Sequence, residues 1–300
     1  MVVNNHANDK PPEIFTSKSL PDPGCRARGE SIVVDSRSEE HFSNYFDTLD
    51  KSRALRVPIA EGCLRGIVLF FGPPGCGKSC LAEGLANDFA ERRFAKDGKR
   101  TTLFEIHASR AFSHMLGMSA RAVDASFETV SFAARHGPVV LLMNEMESFA
   151  VNRRALSGGD PSDVQRVTNT ILTRTDALSE SSNVFVVGTS NFDGMVDLAF
   201  LDRADLIIEV GYPDSEAARS ILERTARAFA GVGRLAANAI DSFISDNYGN
   251  ETSPRLSGRT LRRIVPLSFV MYSRWTLINA KHLSAVAKSI AKRSKCNGDS

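Results

Sequence analysis

Apolar residues along the chain fall into two alternating periodicities. Short runs rich in branched side chains occur at 67–71 (IVLFF), 103–106 (LFEI), 139–143 (VVLLM), 184–187 (VFVV) and 206–210 (LIIEV). Runs of that length and composition predict buried strands. Between them the spacing turns helical, most plainly after Lys78, where Leu81, Leu85 and Phe89 recur every four residues and give one apolar face. Strand alternating with helix predicts an α/β fold: a five-stranded parallel sheet with helices on both faces. The alternation ends near Pro213. Beyond it the pattern predicts helices only, one opened by Asp214 or Ser215 with Glu216 in its first turn, one over 261–275 and one over 281–292. Ahead of the first strand, Pro11, Pro12, Pro21, Pro23 and Gly24 punctuate a stretch with little periodicity, which predicts a partly flexible leader. The expected organisation is a leader over 1–50, a large α/β domain over 51–212 and a small all-helical domain over 213–300.

With 42% hydrophobic and 24% charged side chains in 300 residues, the chain can bury one large core or two unequal ones. Its 37 basic and 35 acidic residues nearly cancel, which argues against a nucleic-acid or membrane partner. The five cysteines (Cys25, Cys63, Cys76, Cys80, Cys296) show no metal-ligand spacing and fit a reducing compartment. The opening MVVNNHANDKPPE lacks a basic stretch followed by an apolar one, and the apolar run at 67–71 is too short to span a bilayer. A cytoplasmic protein is expected.

The chemistry begins at the end of the first strand. GPPGCGKS, comprising Gly72, Pro73, Pro74, Gly75, Cys76, Gly77, Lys78 and Ser79, satisfies G-x-x-x-x-G-K-[ST] between a predicted strand and a predicted helix. Glycines let backbone N–H groups converge on phosphate oxygens. Lys78 neutralises the β and γ phosphates, and the Ser79 hydroxyl can ligate Mg²⁺. Cys80 follows directly. ATP and Mg²⁺ are therefore the expected cofactors. The third strand ends in Asn144 and Glu145, where a doubly wound sheet exposes catalytic groups. Such a motif normally ends Asp-Glu, the Asp holding the Mg²⁺ shell and the Glu polarising the attacking water. Asn144 can reach the metal through a bound water but brings no charge, so weaker Mg²⁺ binding or slower turnover is expected. Asn191 ends the fourth strand at the same sheet edge and can orient a water beside the γ-phosphate. Arg203, before the fifth strand, could act on a neighbouring subunit's phosphate, and Leu256-Ser257-Gly258-Arg259 opens a helix from which Arg259 could reach the nucleotide.

In this order the elements resemble an AAA+ ATPase: Lys78 in the Walker A loop, Glu145 in Walker B, Asn191 as sensor 1, Arg203 as arginine finger, and Gly258 with Arg259 at sensor 2. The segments NEMESFAVNRRA, DPSDVQRVTNTILTRTDAL, SNVFVVGTSNFDGMVDLAFLDRADL and LSGRTLRRI resemble the pachytene-checkpoint AAA+ family, which remodels HORMA-domain proteins, and the likeness runs over about 55–275. It implies an AAA+ domain with a helical lid, a homohexamer with ATP at subunit interfaces, and a HORMA-domain partner pulled open through the ring. The short stretch before the phosphate loop is most like the compact bacterial members, which accompany HORMA proteins and cyclic-nucleotide synthases in antiphage operons. By the same resemblance His114, Met115, Leu116 and Gly117 stand at the first pore loop, and 153–160 at a second inner loop. Met115 and Leu116 replace the usual aromatic pair with adaptable apolar side chains. Two other readings stay open: a nucleotide-gated scaffold with little hydrolysis, suggested by Asn144, and a DNA-associated AAA+ protein, against which the charge balance counts.

Overall fold

The computed structural model describes residues 15–32, 36–58, 64–107, 120–146, 161–181, 183–191, 198–249, 255–272 and 277–296. The chain divides into two compact units: Met1–Phe71 with Lys78–Glu209, and Gly72–Gly77 with Val210–Ser300.

The first unit is built on a six-stranded sheet. The strands are β1 (Phe15–Leu20), β2 (Ile67–Gly72), β3 (Thr101–His107), β4 (Val139–Asn144), β5 (Val184–Asn191) and β6 (Leu206–Glu209), in the order β1-β3-β4-β5-β2-β6. The sheet is parallel from β3 to β6, as the alternating pattern predicts, but it has a sixth strand. β1 pairs antiparallel with β3, Phe15 opposite Ile106 and Leu20 opposite Thr101. Its sequence FTSKSL buries only its two ends, which leaves no apolar run to announce a strand. The helices among the described residues of this unit are α1 (Pro23–Glu30), α2 (Ser36–Ala54), α3 (Lys78–Asp97), α4 (Ala120–His136), α5 (Pro161–Ser179) and the single turn α6 (Leu198–Leu201).

The expected leader is, from Phe15 onward, part of this unit. Asp22 caps α1, its carboxylate accepting from Cys25 N at 2.9 Å, while Asp22 N donates to the buried Asn87 of α3 at 2.8 Å. A Cβ on Gly29 of α1 would lie 2.6 Å from Gly84 Cα of α3, so the two helices cross backbone to backbone. Helix α2 docks through aromatic rings: Phe46 meets Phe89 of α3 at 6.0 Å and Phe185 of β5 at 5.3 Å between centroids. Phe89 and Phe185 stack at 5.0 Å. Each such pair adds about 1 kcal/mol beyond the area it buries. At the amino ends of the strands, the Asp205 carboxylate accepts from Tyr45 Oη at 2.8 Å and from the N–H groups of Arg65, Gly66 and Ile67 at 2.9, 2.7 and 3.1 Å. One carboxylate thus ties α2, the entry to β2 and the entry to β6 together.

The second unit contains α7 (Ser215–Ala228), α8 (Ala239–Tyr248), α9 (Gly258–Met271) and α10 (Ala280–Cys296). Leu222, Phe243, Leu261, Ile264, Leu283 and Val286 form its buried centre. Asp214 caps α7, its side chain accepting from Ala217 N at 2.8 Å. This unit is not all-helical: Arg234–Leu235 (β7) pairs in parallel with Leu277–Ile278 (β8). Two residues per strand are too few for any periodicity to show. The helix expected over 261–275 spans Gly258–Met271 and ends where Tyr272 turns extended.

Candidate functional site

The site residues of the first unit stand at the carboxyl ends of adjacent strands. Lys78, the first residue of α3, is buried, and its Nζ donates to Asn191 Oδ1 at the end of β5 over 2.7 Å. Ser79 follows on the same helix and is exposed. At the end of β4 the Asn144 amide is held on both sides. Its Nδ2 donates to Glu105 Oε1 of β3 at 2.6 Å, and its Oδ1 accepts from Thr189 Oγ1 of β5 at 2.9 Å. Thr189 Oγ1 in turn accepts from Glu145 N at 3.2 Å, and Thr189 O accepts from Met146 N at 2.9 Å. The chain leaves the sheet here with Glu145 at φ +56, the left-handed region that a non-glycine residue enters only at a cost of about 1–3 kcal/mol. Two hydrogen bonds to Thr189 and the burial of Met146 hold that bend, and they leave the Glu145 side chain exposed. A residue held in this way can present a carboxylate in a fixed direction.

The second unit carries the glycines of the loop. Gly72 (φ +144), Gly75 (φ +79) and Gly77 (φ +107) all lie in the region that favours glycine. A Cβ on Gly72 would overlap the Val210 carbonyl oxygen, and one on Gly75 would lie 3.2 Å from both Arg259 Cβ and Ser257 Oγ. Ser257 caps α9, its side chain accepting from Thr260 N at 3.2 Å. The backbone N–H of Arg259 donates to Gly75 O at 3.0 Å. Gly258 is buried and Arg259 is exposed in this unit. Cys76 is buried and Cys80 half-buried, both as free thiols.

Arg203 keeps different company. It precedes β6, at the amino ends of the strands, and its Nε donates to both carboxylate oxygens of Asp176 on α5 at 2.7 and 2.8 Å. Arg65 also reaches Asp176, at 3.3 Å. Lys78 follows the carboxyl end of β2, which runs parallel to β6, so Arg203 and Lys78 belong to opposite edges of the sheet. His114, Met115, Leu116, Gly117 and the segment 153–160 lie outside the described residues.

Glu105 and Thr189 were not singled out from the sequence, and Ser257 was named there only within the segment that opens a helix. Ser257 carried a signal, a serine immediately before a helix. Glu105 carried a weaker one, a single charge inside the apolar run LFEI.

Comparison with known proteins agrees with this geometry. The model of the ATPase family associated with various cellular activities (AAA) matches residues 68–212. CD-NTase-associated protein 6 of Pseudomonas aeruginosa is 33% identical over 267 residues, covering 85% of this chain and 83% of that protein. A putative pachytene checkpoint protein 2 of Caenorhabditis elegans is 29% identical over 222 residues, or 73% of this chain and 51% of that protein. Among solved structures, C. elegans PCH-2 superposes with a TM-score of 0.72 at 23% identity over 94% of this chain and 76% of that one. A chain of the E. coli MS115-1 HORMA:CdnC:Trip13 complex superposes with a TM-score of 0.71 at 18% identity over 91% of this chain and 94% of that one. These two likenesses show a shared fold. Lys78 at the start of α3 is bonded to the polar end of β5, beside the strand that ends at Asn144, and with the family model matched over 68–212 and the Pseudomonas relative over most of both lengths, the chain belongs to the AAA ATPase family of CD-NTase-associated protein 6 and pachytene checkpoint protein 2.

Proposed function

We propose that this chain is an ATP-driven remodeller that opens a HORMA-domain protein by pulling a segment of it through a homohexameric ring, in bacterial antiphage signalling with a cyclic-nucleotide synthase. The observation that carries the reading is the match to CD-NTase-associated protein 6 over 85% of this chain. A solved complex of the same fold containing HORMA and CdnC chains supports it further. Lys78 binds the β and γ phosphates as a point charge, and Asn191 holds that lysine in place. Glu145 polarises the attacking water, Arg203 completes a neighbour's site, and Arg259 reaches the nucleotide from α9.

Mg²⁺ is the expected metal. Among the described residues no three His, Cys, Asp or Glu side chains gather to hold a metal ion. That suits Mg²⁺, which takes one or two protein ligands together with phosphate oxygens and water rather than an all-protein cage. Ser79, Asn144 and Glu145 offer hard oxygens of the right kind. When bound, the metal neutralises charge on the phosphates. No helix among the described residues is long and apolar enough to cross a membrane.

The decisive experiment mixes the purified protein with the HORMA protein of the same operon and follows conversion between its closed and open forms. Conversion with ATP, and none with ADP or in Glu145→Gln, is expected; no conversion with ATP overturns the proposal. Asn144 favours a second reading, a nucleotide-gated scaffold. Phosphate release by the unmodified protein at more than about one per minute, well below the usual range for enzymes, would remove it.

A further inference from the structure

The residue that replaces the usual aspartate is half of a pair. Asn144 is bonded through Nδ2 to the Glu105 carboxylate of the neighbouring strand and through Oδ1 to the Thr189 hydroxyl, whose oxygen accepts the Glu145 N–H. Each link has only one possible polarity. An ionised carboxylate can only accept, so the Asn144 amide must turn its nitrogen toward Glu105 and its oxygen toward Thr189. The Thr189 proton is then spent on Asn144, which leaves its lone pair for Glu145 N–H. The sequence Glu105, Asn144, Thr189, Glu145 is a directed chain that ends on the backbone of the residue whose φ is +56.

We propose that Glu105 is a positioning residue for ATP hydrolysis: it supplies the negative charge that Asn144 lacks and, through Asn144 and Thr189, fixes the Glu145 backbone. The inference rests on the ATPase reading given above. Strand order explains why the charge can move. β3 lies beside β4 in register, His107 opposite Asn144 and Glu105 opposite Leu142, so a side chain two residues before the end of β3 reaches the end of β4. The pair holds one negative charge between its two members. An aspartate at position 144 would set two carboxylates at hydrogen-bond distance with no proton between them, and like charges so placed repel. The asparagine is therefore what Glu105 requires, and restoring the usual residue alone should harm the site. Moving the charge should not. With Glu105→Gln and Asn144→Asp together, the new amide donates to the new carboxylate, which still accepts from Thr189, and the chain to Glu145 survives with one charge in the pair.

The test compares the unmodified protein, Glu105→Gln, Asn144→Asp and the double variant by three measurements. These are the Mg²⁺ concentration at which a fluorescent ATP analogue is half-bound, the rate of phosphate release, and the thermal midpoint. Glu105→Gln keeps the shape and the hydrogen bond but removes the charge, so its Mg²⁺ midpoint should rise about threefold or more and its turnover fall about tenfold. Asn144→Asp alone should lose turnover by a similar factor and melt at a lower temperature. The double variant should return to within about threefold of the unmodified protein in all three readouts, a reciprocal rescue that a merely structural contact would not give. An Asn144→Asp protein that fails to fold, beside a double variant that folds and turns over, counts in favour. Turnover in Asn144→Asp equal to or above that of the unmodified protein overturns the inference, as does a double variant no better than the weaker single one. If the unmodified protein does not bind the Mg²⁺-nucleotide at all, the ATPase reading falls and this one with it; if it binds and the swap does not rescue, only the role of Glu105 falls.

Discussion

Lys78 Nζ and Asn191 Oδ1 stand 2.7 Å apart, joining the cation of the phosphate loop to the last residue of β5. Each member should therefore show a distinct defect when removed. Lys78→Ala loses the charge that faces the phosphates, and nucleotide affinity should fall by about a hundredfold or more. Asn191→Ala leaves the charge but removes one hydrogen bond that positions it. Its affinity should stay within about threefold while hydrolysis drops about tenfold, because a misplaced cation serves the transition state less well than the ground state. Calorimetric titration with ATP and single-turnover phosphate release separate the two.

Glu145→Gln keeps the size and the backbone conformation of the residue at φ +56 but removes the water-polarising base. Phosphate release should fall by about 10²–10⁴ while ATP remains bound. Unchanged hydrolysis would move the base to another residue.

The loop glycine at position 75 has φ +79 and two α9-side atoms 3.2 Å from where a Cβ would sit. Gly75→Ala should cost about 1–3 kcal/mol, read as a lower urea midpoint without a change in slope. Ser257→Ala, which removes only the cap of α9, should cost about 1 kcal/mol.

Burial, and after it the neighbouring Asp205 carboxylate, pushes the Tyr45 phenol above its ordinary value of 10.0. A raised value in the folded state means that the fold prefers the neutral phenol. Tyr45 therefore contributes its full stabilisation below pH 10.0 and loses it as pH rises beyond, where the unfolded chain ionises first. Denaturation midpoints of the unmodified protein should fall more steeply above that pH than those of Tyr45→Phe. At neutral pH, Tyr45→Phe should cost about 1 kcal/mol for the bond to Asp205.

Arg203 donates twice to Asp176 within its own chain. If it also serves a neighbour's nucleotide, Arg203→Ala should lower specific activity about a hundredfold at protein concentrations where the ring forms, with ATP affinity unchanged. Equal loss in dilute, unassembled protein would assign Arg203 to contacts within its own chain.

The parallel strands and α3 were legible because each buries a continuous run or one helical face, and the phosphate loop was legible because its chemistry fixes residue types at fixed spacing. Helix α2 was not recognised although Phe42, Tyr45, Phe46 and Leu49 recur at helical spacing, because the prolines before it dominate the segment. β1 escaped because TSKS between its two buried ends offers nothing to a core. Among the expected site residues, Lys78 begins α3, Asn144 and Asn191 end β4 and β5, and Glu145 follows β4, so linear order was enough to place them along the chain. Glu105 and Thr189 act only through a partner on an adjacent strand. Their importance depends on sheet order, β3 beside β4 beside β5, which no spacing along the chain encodes.

The crossing of Gly29 and Gly84 bears on how freely this sequence can drift. A methyl group at either position would press on the other glycine's Cα, at 2.6 and 2.7 Å, rather than on a side chain that could rotate away. No second substitution elsewhere can make room, because the obstacle is main chain. Relatives that retain α1 should therefore hold glycine at both positions at once, and relatives that have lost α1 should be free to change Gly84 without penalty. An alanine at either site would act as a wedge, lifting α1 from the helix that begins at Lys78, and selection against that wedge would leave a paired invariance that owes nothing to side-chain chemistry.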